Sequence, residues 1–79
     1  MFYFTYVLRS LKDDGIYIGY TNNLKHRLKL HNSGKVIATR DRLPVILVYF
    51  EGCTNKELAI KREKTLKTGF GRKYLKTRI

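Results

Sequence analysis

The sequence predicts a small fold of the α+β class, built from a β-hairpin, one later strand and several helices. Residues 2–10 are rich in aromatic and β-branched side chains, Asp14-Gly15 is a strong hairpin-turn signal, and residues 16–20 form the expected return strand. A continuous apolar run at residues 45–50 predicts another strand. Because strands covered on both faces have such sequences, this run is expected to be the middle or best-covered strand of the sheet.

Polar capping residues predict a first helix after the hairpin. Thr21-Asn22-Asn23 offers N-cap oxygens for a helix on which Leu24, Leu28 and His31 recur at helical spacing, and Gly34 is expected to end it. A basic loop then leads to the apolar strand.

A second helix is predicted by a capping box, in which Thr54 is followed three residues later by Glu57. This helix is expected to run from about Lys56 to Lys67. Gly69 and Gly71 are expected to break it, and the basic residues beyond them form one further helical turn or two.

The net charge indicates a polyanionic partner. The 79 residues are enough for one domain, residues 1–79, and carry 17 Lys and Arg against 6 Asp and Glu, which gives a net charge of +11. Nucleic acid is the commonest partner of so basic a chain.

Cysteine usage and hydropathy argue against other classes of protein. The single cysteine, Cys53, makes neither an internal disulfide nor a zinc site by itself, which fits a reducing cytoplasm. No apolar run approaches the roughly 20 residues that a membrane helix needs. The apolar opening, residues 1–8, lacks the basic segment and cleavage site of a signal peptide. We therefore expect a cytoplasmic protein with no membrane partner.

Glu63 is the one acidic residue that the predicted elements do not explain. The other five fit a turn, a basic loop, a strand end or a helix start: Asp13, Asp14, Asp41, Glu51 and Glu57. Glu63 falls mid-helix on a face that otherwise requires apolar residues, and a half-buried carboxylate is costly unless it is paired or binds a metal. An ion pair with Arg27 or with Lys67 is the structural alternative. A single carboxylate suits Mg²⁺, which keeps most of its waters.

Four further side chains complete a candidate phosphodiester-hydrolysing site. Arg27 and His31 lie four residues apart and share one helix face, Tyr17 precedes that helix on its strand, and Tyr6 lies on the partner strand. In such a site a metal polarises the phosphoryl oxygen, an arginine offsets negative charge, and a tyrosine or histidine accepts a proton from water. Surrounding positive charge would have to lower the tyrosine pKa from about 10. Cross-strand packing of the tyrosines and a helix-dipole contact of His31 are the structural alternatives.

Two short motifs and their spacing carry a family resemblance. Tyr17-Ile18-Gly19 forms the second motif, and Phe4-Thr5-Tyr6 stands in place of the first, with ten residues between the two motif tyrosines. Residues 20–34, 61–64 and 66–72 follow a matching order of helix, glutamate-bearing segment and tail. In these segments the chain resembles the GIY-YIG nucleases over essentially its whole length, although its first motif keeps only the tyrosine.

The resemblance implies a three-stranded antiparallel sheet flanked by about three helices, and hydrolysis of nucleic-acid phosphodiesters with one divalent ion, Mg²⁺ or Mn²⁺. It assigns Tyr6 and Tyr17 to a tyrosine pair, with Tyr6 favoured as the proton acceptor. Arg27 would stabilise the transition state, His31 would assist proton transfer or bind phosphate, and Glu63 would hold the metal. Many such nucleases also use an asparagine beyond the glutamate, and this chain has none there.

We therefore predict a metal-dependent endonuclease of DNA repair or processing, structure-selective or weakly sequence-selective, acting as a monomer or a transient dimer on its substrate. A basic nucleic-acid-binding module that no longer cuts is one alternative. An RNA-associated protein is another, which exposed aromatic side chains on the sheet would favour, although DNA is favoured over RNA. The expected phosphate contacts are Lys35, Arg40, Arg42, Arg72 and Lys73.

Overall fold

The computed structural model describes residues 1–79 and contains one sheet and three α-helices. In chain order the elements are β1 (Tyr3–Ser10), β2 (Ile16–Thr21), α1 (Leu24–Asn32), a 3₁₀ turn (Arg40–Arg42), β3 (Val45–Cys53), α2 (Lys56–Leu66) and α3 (Gly69–Lys76). The three strands form an antiparallel sheet in the order β2-β1-β3, which confirms the predicted α+β architecture. None of the helices combines the length and the apolarity needed to cross a bilayer.

β1 forms the centre of the fold because both of its faces are buried. Tyr6 and Leu8 face one side, where leucines of α1 pack against them. Val7 faces the other side and packs with Leu66 of α2 and Leu75 of α3. α1 therefore covers one face of the sheet, and α2 together with α3 covers the other.

β3 is an edge strand, which corrects the expectation that residues 45–50 form the middle or best-covered strand. β3 pairs with β1 alone. Val45 is buried, but Ile46 and Phe50 are 43% and 51% exposed. The apolar run thus indicated a strand without indicating its neighbours, because apolar side chains also occur at exposed edge positions.

The helix starts are set by side-chain caps. Asn23 caps α1 as predicted, since its side chain accepts the amide hydrogen bond of the third helical residue. The second cap is Asn55 rather than Thr54: its Oδ1 accepts from the Leu58 amide at 3.1 Å. Because α2 begins at Lys56 as expected but with Asn55 as its N-cap, Glu57 is the second helical residue and not the third that a capping box requires.

The junction of α2 and α3 also differs from the prediction. α2 ends at Leu66, and Thr68 caps a new helix whose first turn contains Gly69 and Gly71. A Cβ on Gly71 would overlap the backbone of Thr65 and Leu66. This glycine therefore allows α3 to pack closely against the end of α2 instead of terminating a helix.

Candidate active site

Tyr6 lies in the middle of β1, directly opposite Gly19 of β2 in the sheet register. Gly19 leaves space for the phenol, because a Cβ there would lie 2.6 Å from the Tyr6 hydroxyl oxygen. Tyr17 is two residues earlier on β2, so its side chain leaves the same face of the sheet. The two phenol rings have centroids 6.3 Å apart. The glycine of the second motif thus makes room for the tyrosine of the first.

The Tyr6 hydroxyl joins β1 to α1 through two hydrogen bonds. Nε2 of His31 lies 2.9 Å from the phenol oxygen, and Nε of Arg27 donates to the same oxygen at 3.3 Å. The other imidazole nitrogen, Nδ1, lies 2.7 Å from Oγ1 of Thr39 in the basic loop. The Tyr17 ring completes the cluster, 5.1 Å from the imidazole. The i, i+4 pair on α1 therefore meets both strand tyrosines.

Burial sets the protonation states in this cluster. It raises the pKa of Tyr6, an effect that the hydrogen bond from Arg27 partly offsets. Burial also lowers the pKa of His31, and the neighbouring Arg27 charge acts in the same direction. The pKa of Arg27 is raised, chiefly by its hydrogen bond to Tyr6. At neutral pH the cluster is a neutral phenol, a neutral imidazole and a guanidinium cation.

Burial bears on two expectations about these residues. It raises the pKa of Tyr6, because removal of the phenol from water outweighs its contact with Arg27, whereas the expected lowering included the charge of a bound metal. Both ring nitrogens of His31 are hydrogen-bonded and its exposure is 0%, so of the two roles expected of it, assistance of proton transfer fits this geometry better than binding of phosphate. Its surroundings fit an action on Tyr6 and not a direct contact with substrate.

Arg27 is the cation of the cluster that remains available to a ligand. None of the four ion pairs in the molecule involves Arg27. A guanidinium has five N–H donors, and only one of those on Arg27 bonds to Tyr6. Its side chain also lines a shallow cleft of about 440 Å³ together with Tyr3, Tyr20, Thr21, Asn22 and Lys56. A phosphate entering this cleft would meet uncompensated positive charge.

Glu63 lies in the middle of α2 with 17% of its side chain exposed. Its Oε2 accepts a hydrogen bond from Lys67 Nζ at 3.3 Å, so of the two ion pairs considered, the one four residues along the helix is present. The Glu63 charge is also the smallest of the influences that shift the pKa of Tyr6. The carboxylate therefore lies within electrostatic range of the cluster, although no hydrogen bond joins the two.

The donor set around Glu63 fits a magnesium-type ion. The molecule contains no group of three or more His, Cys, Asp or Glu side chains that could form a closed metal cage. Mg²⁺ needs no such cage, because it binds through one or two carboxylates, several waters and substrate phosphates. Only one Glu63 oxygen has a hydrogen-bond partner, and that partner is a partly exposed lysine.

The predicted phosphate contacts fall into two groups. Four are exposed: Lys35, Arg40, Arg72 and Lys73. Arg72 also lines a cleft beside Tyr17. Arg42 instead forms hydrogen bonds of 2.9 and 3.3 Å with the Asp13 carboxylate and thereby lowers the pKa of Asp13 to about 2. Arg42 therefore holds the basic loop against the hairpin turn, which leaves its guanidinium less free for phosphate.

Three features of the site were not predicted from the sequence. Thr39 is buried, and its hydroxyl is hydrogen-bonded to His31. The sequence of a polar loop does not indicate which of its residues will contact a helix. The steric role of Gly19 follows from the register of the strands, which the motif alone does not contain. Lys56 lines the cleft because it is the first residue of α2. Identification of Asn55 as the N-cap would have indicated the position of Lys56.

Comparison with known proteins agrees with this geometry. The family model described as the GIY-YIG catalytic domain matches residues 2–75. The chain belongs to the GIY-YIG family. GIY-YIG nucleases generally depend on a divalent metal.

Relatives of this GIY-YIG protein include small bacterial UPF0213 proteins. It is 48% identical over 65 residues to one from Streptococcus pneumoniae serotype 4, covering 81% of this chain and 65% of that protein. It is 40% identical over 67 residues to another from Staphylococcus haemolyticus, covering 84% and 80%. The chain thus spans about two thirds of the length of the pneumococcal relative. The solution NMR structure of a UPF0213 protein from Bacillus halodurans is similar with a TM-score of 0.58 and 34% identity, covering 98% of this chain and 84% of that chain.

Proposed function

We propose that this GIY-YIG protein is a divalent-metal-dependent endonuclease that hydrolyses phosphodiester bonds in DNA. Its cutting is structure-selective or weakly sequence-selective and serves DNA repair or processing. The observation that supports the proposal is the Tyr6 hydroxyl, held between His31 Nε2 and Arg27 Nε in the space that Gly19 leaves for it. This point brings together a proton-transfer pair and a cation, which phosphodiester hydrolysis requires.

Arg27 stabilises the transition state in this proposal. Negative charge accumulates on the phosphoryl oxygens as water attacks, and a fixed cation in a partly water-excluded cleft lowers the energy of that charge. The hydrogen bond to Tyr6 fixes the guanidinium before substrate arrives. Tyr17, only partly buried and next to Tyr6, orients the attacking water or a phosphate oxygen.

Tyr6 and His31 form the proton relay. Because Arg27 donates to the phenol oxygen, the phenol proton is free to donate to His31 Nε2, while Nδ1–H donates to Thr39. The phenol oxygen takes a proton from the attacking water as its own proton passes to Nε2. The lowered pKa of His31 keeps the imidazole neutral and able to accept it. The raised pKa of Tyr6 is compatible with this transfer because no free phenolate has to form.

Glu63 would hold the metal, with waters and substrate phosphate oxygens as the remaining ligands. When bound, a divalent ion supplies Lewis-acid polarisation of the phosphoryl oxygen and charge stabilisation at the leaving oxygen. Binding of the ion would replace the contact between Glu63 and Lys67. A partly exposed ion pair of this kind contributes only about 0–1 kcal/mol to stability.

Replacement of the Glu63 carboxylate tests this proposal. We expect wild-type protein to nick supercoiled plasmid or branched duplex DNA with Mg²⁺ or Mn²⁺ and to stop in EDTA. Glu63→Gln should lower the rate at least about 100-fold, because it removes the charge that binds the ion. Glu57→Gln is the matched control, since Glu57 is an exposed glutamate on the same helix.

Equal cleavage by Glu63→Gln and wild type would contradict the assigned metal site. Strong, salt-dependent DNA binding without any metal-stimulated cleavage would favour the alternative, a nucleic-acid-binding module that no longer cuts. The loss of the glycine and isoleucine from the first motif is the feature of this chain that keeps this alternative open.

A further inference from the structure

Three phenylalanine rings form an exposed aromatic patch, defined here as Phe2, Phe4 and Phe50. Phe2 is 56% exposed and Phe50 is 51% exposed, and the partly buried Phe4 lies between them. The ring centroids of Phe2 and Phe4 are 6.2 Å apart, and those of Phe4 and Phe50 are 6.0 Å apart. Single exposed apolar residues need no explanation, but a contiguous cluster of large rings in water marks a binding surface.

The aromatic patch lies on the same face of the sheet as the candidate active site. Phe50 pairs directly with Tyr6, and Phe4 pairs with Thr21, so these side chains leave the same face. The leucines of α1 cover this face over Tyr6 and Leu8, which leaves the Phe2 end open. The rings therefore lie on the same sheet face as the hydroxyl at which the proposed reaction takes place.

Positive charge borders the aromatic patch. Thr21, the cross-strand partner of Phe4, lines the same cleft as Arg27 and Lys56. The chain as a whole carries a net charge of +11, so a second copy would bring repulsion to this surface. Nucleic acid supplies both phosphates for the cations and aromatic faces for the rings.

We propose that the aromatic patch binds unpaired bases of the DNA strand that is cut at the candidate site on the same sheet face. Bases inside a duplex have their faces covered by neighbours in the stack, whereas unpaired bases can stack on protein rings. The inference rests on the proposed function and names its substrate class, which is DNA with a single-stranded or locally unpaired segment next to the scissile phosphate. Phe2 and Phe50 are then specificity-determining residues of the nuclease.

A tryptophan reporter tests the contact directly, because the chain contains no tryptophan. In Phe50→Trp, a single-stranded oligothymidylate added in EDTA should quench the indole fluorescence, and a blunt duplex of equal length should leave it nearly unchanged. Leu11→Trp is the matched control, since Leu11 is a 60% exposed apolar residue at the opposite end of β1 from Phe2. Its fluorescence should respond to neither DNA.

Removal of the rings gives the second measurement. Phe2→Ala/Phe50→Ala should weaken binding of the single strand about ten-fold or more, because each stacked base contributes a sizeable share of the affinity. The slope of log affinity against log salt should stay the same, since that slope counts phosphate contacts. Duplex binding and the Leu11→Ala control should match wild type.

Three results would overturn the proposal. The first is unquenched indole fluorescence in Phe50→Trp while anisotropy shows that the single strand is bound. The second is an equal loss of single-strand and duplex affinity in the alanine variant, or tighter binding of the matched RNA. The third is a dimer of wild-type protein that the alanine variant converts to monomer, which would assign the aromatic patch to a second copy. All binding is measured without metal, so failure of the proposed cleavage would appear separately, as an absence of Mg²⁺-stimulated nicking by wild type.

Discussion

Two tyrosine–arginine networks lie on opposite faces of the sheet, and they differ in one component. On the α1 face, the Tyr6 hydroxyl bonds to Arg27 and no carboxylate joins the network. On the other face, Tyr49 donates to Glu51 at 2.5 Å, and Arg62 forms an ion pair with the same carboxylate. This second cluster thus contains its own counter-charge.

The carboxylate decides what each network can do. On the far face it neutralises Arg62, which also lies 4.9 Å from the Tyr74 ring, so the ion pair joins β3 to α2 and α3. The Glu51 bond and burial together raise the pKa of Tyr49, with burial the larger cause. On the α1 face the guanidinium keeps unused donors in a cleft. The same two residue types therefore stabilise the fold in one place and leave unused hydrogen-bond donors in a cleft in the other.

Replacement of each of the two arginines with alanine should distinguish these roles. Of the predictions made here, this one has the largest expected effect. Arg27→Ala should lower metal-dependent cleavage about 100- to 1,000-fold with little change in the free energy of unfolding, because its charge acts in the transition state. Arg62→Ala should keep the cleavage rate per folded molecule and lower the free energy of unfolding by about 1–2 kcal/mol. Plasmid nicking and urea unfolding measure the two quantities.

Arg27→Lys is the matched variant, since it keeps the charge without the planar fork and should recover only part of the activity. The comparison fails if Arg27→Ala unfolds more readily than Arg62→Ala, or if both variants cut DNA equally well.

Replacement of the two closely packed glycines tests the same comparison, with an expected effect of intermediate size. Gly19→Ala places a methyl group 2.6 Å from the Tyr6 hydroxyl oxygen and should lower cleavage about 100-fold, because small displacements of reacting groups are costly. Gly71→Ala crowds the α2–α3 junction and should cost about 1–3 kcal/mol of stability while sparing the activity of the folded fraction. Cleavage normalised to the folded fraction, from circular dichroism, distinguishes them. Equal normalised rates for the two variants would argue against the site at Tyr6.

The smallest expected effect is a loss of stability on acidification, through the protonation of His31. Burial lowers the pKa of His31 in the folded state below its usual 6.5, so the unfolded chain binds the proton more readily. The resulting stability is fully present above pH 6.5 and is lost as the pH falls from there through the folded pKa. Melting temperatures across this range should fall more for wild type than for His31→Gln. His26→Gln, which changes an exposed histidine on the same helix, should behave as wild type, and an unchanged pH dependence in His31→Gln would rule out this coupling.

Local signals explain how much of the fold could be predicted. The Asp14-Gly15 turn is formed with Asp14 at φ 61°, and the Asn23 cap needs only neighbouring residues. The order of the strands depends on contacts between residues distant in sequence. The polar Thr5 interrupts the apolar sequence of β1, whereas the apolar run of β3 is continuous, so the sequence favoured β3 as the central strand. The Thr5 hydroxyl is nevertheless buried, because it donates to the Ala59 carbonyl at 3.0 Å. A hydrogen bond to another element was therefore what allowed this strand to occupy the centre.

The candidate site likewise has features that local sequence predicts and features that depend on distant contacts. Helical spacing was enough to place Arg27 and His31 together, and strand alternation was enough to bring tyrosines towards them. The burial of His31 could not be predicted, because it depends on Thr39, which a loop brings from outside both elements. The pKa of Tyr6 depends on the same burial, which raises it, and the sequence indicates nearby cations without indicating how deeply the phenol is buried.

The two-sided burial of β1 also constrains how the chain folds. Val7 and Leu75 lie near opposite ends of the chain, yet they share one hydrophobic cluster. Closing such a long loop costs entropy before any contact rewards it, so folding is expected to be a concerted, comparatively slow event. The Tyr6 hydrogen bonds and α3 are then expected to form in a single cooperative transition, without a partly assembled intermediate that holds Tyr6 in place.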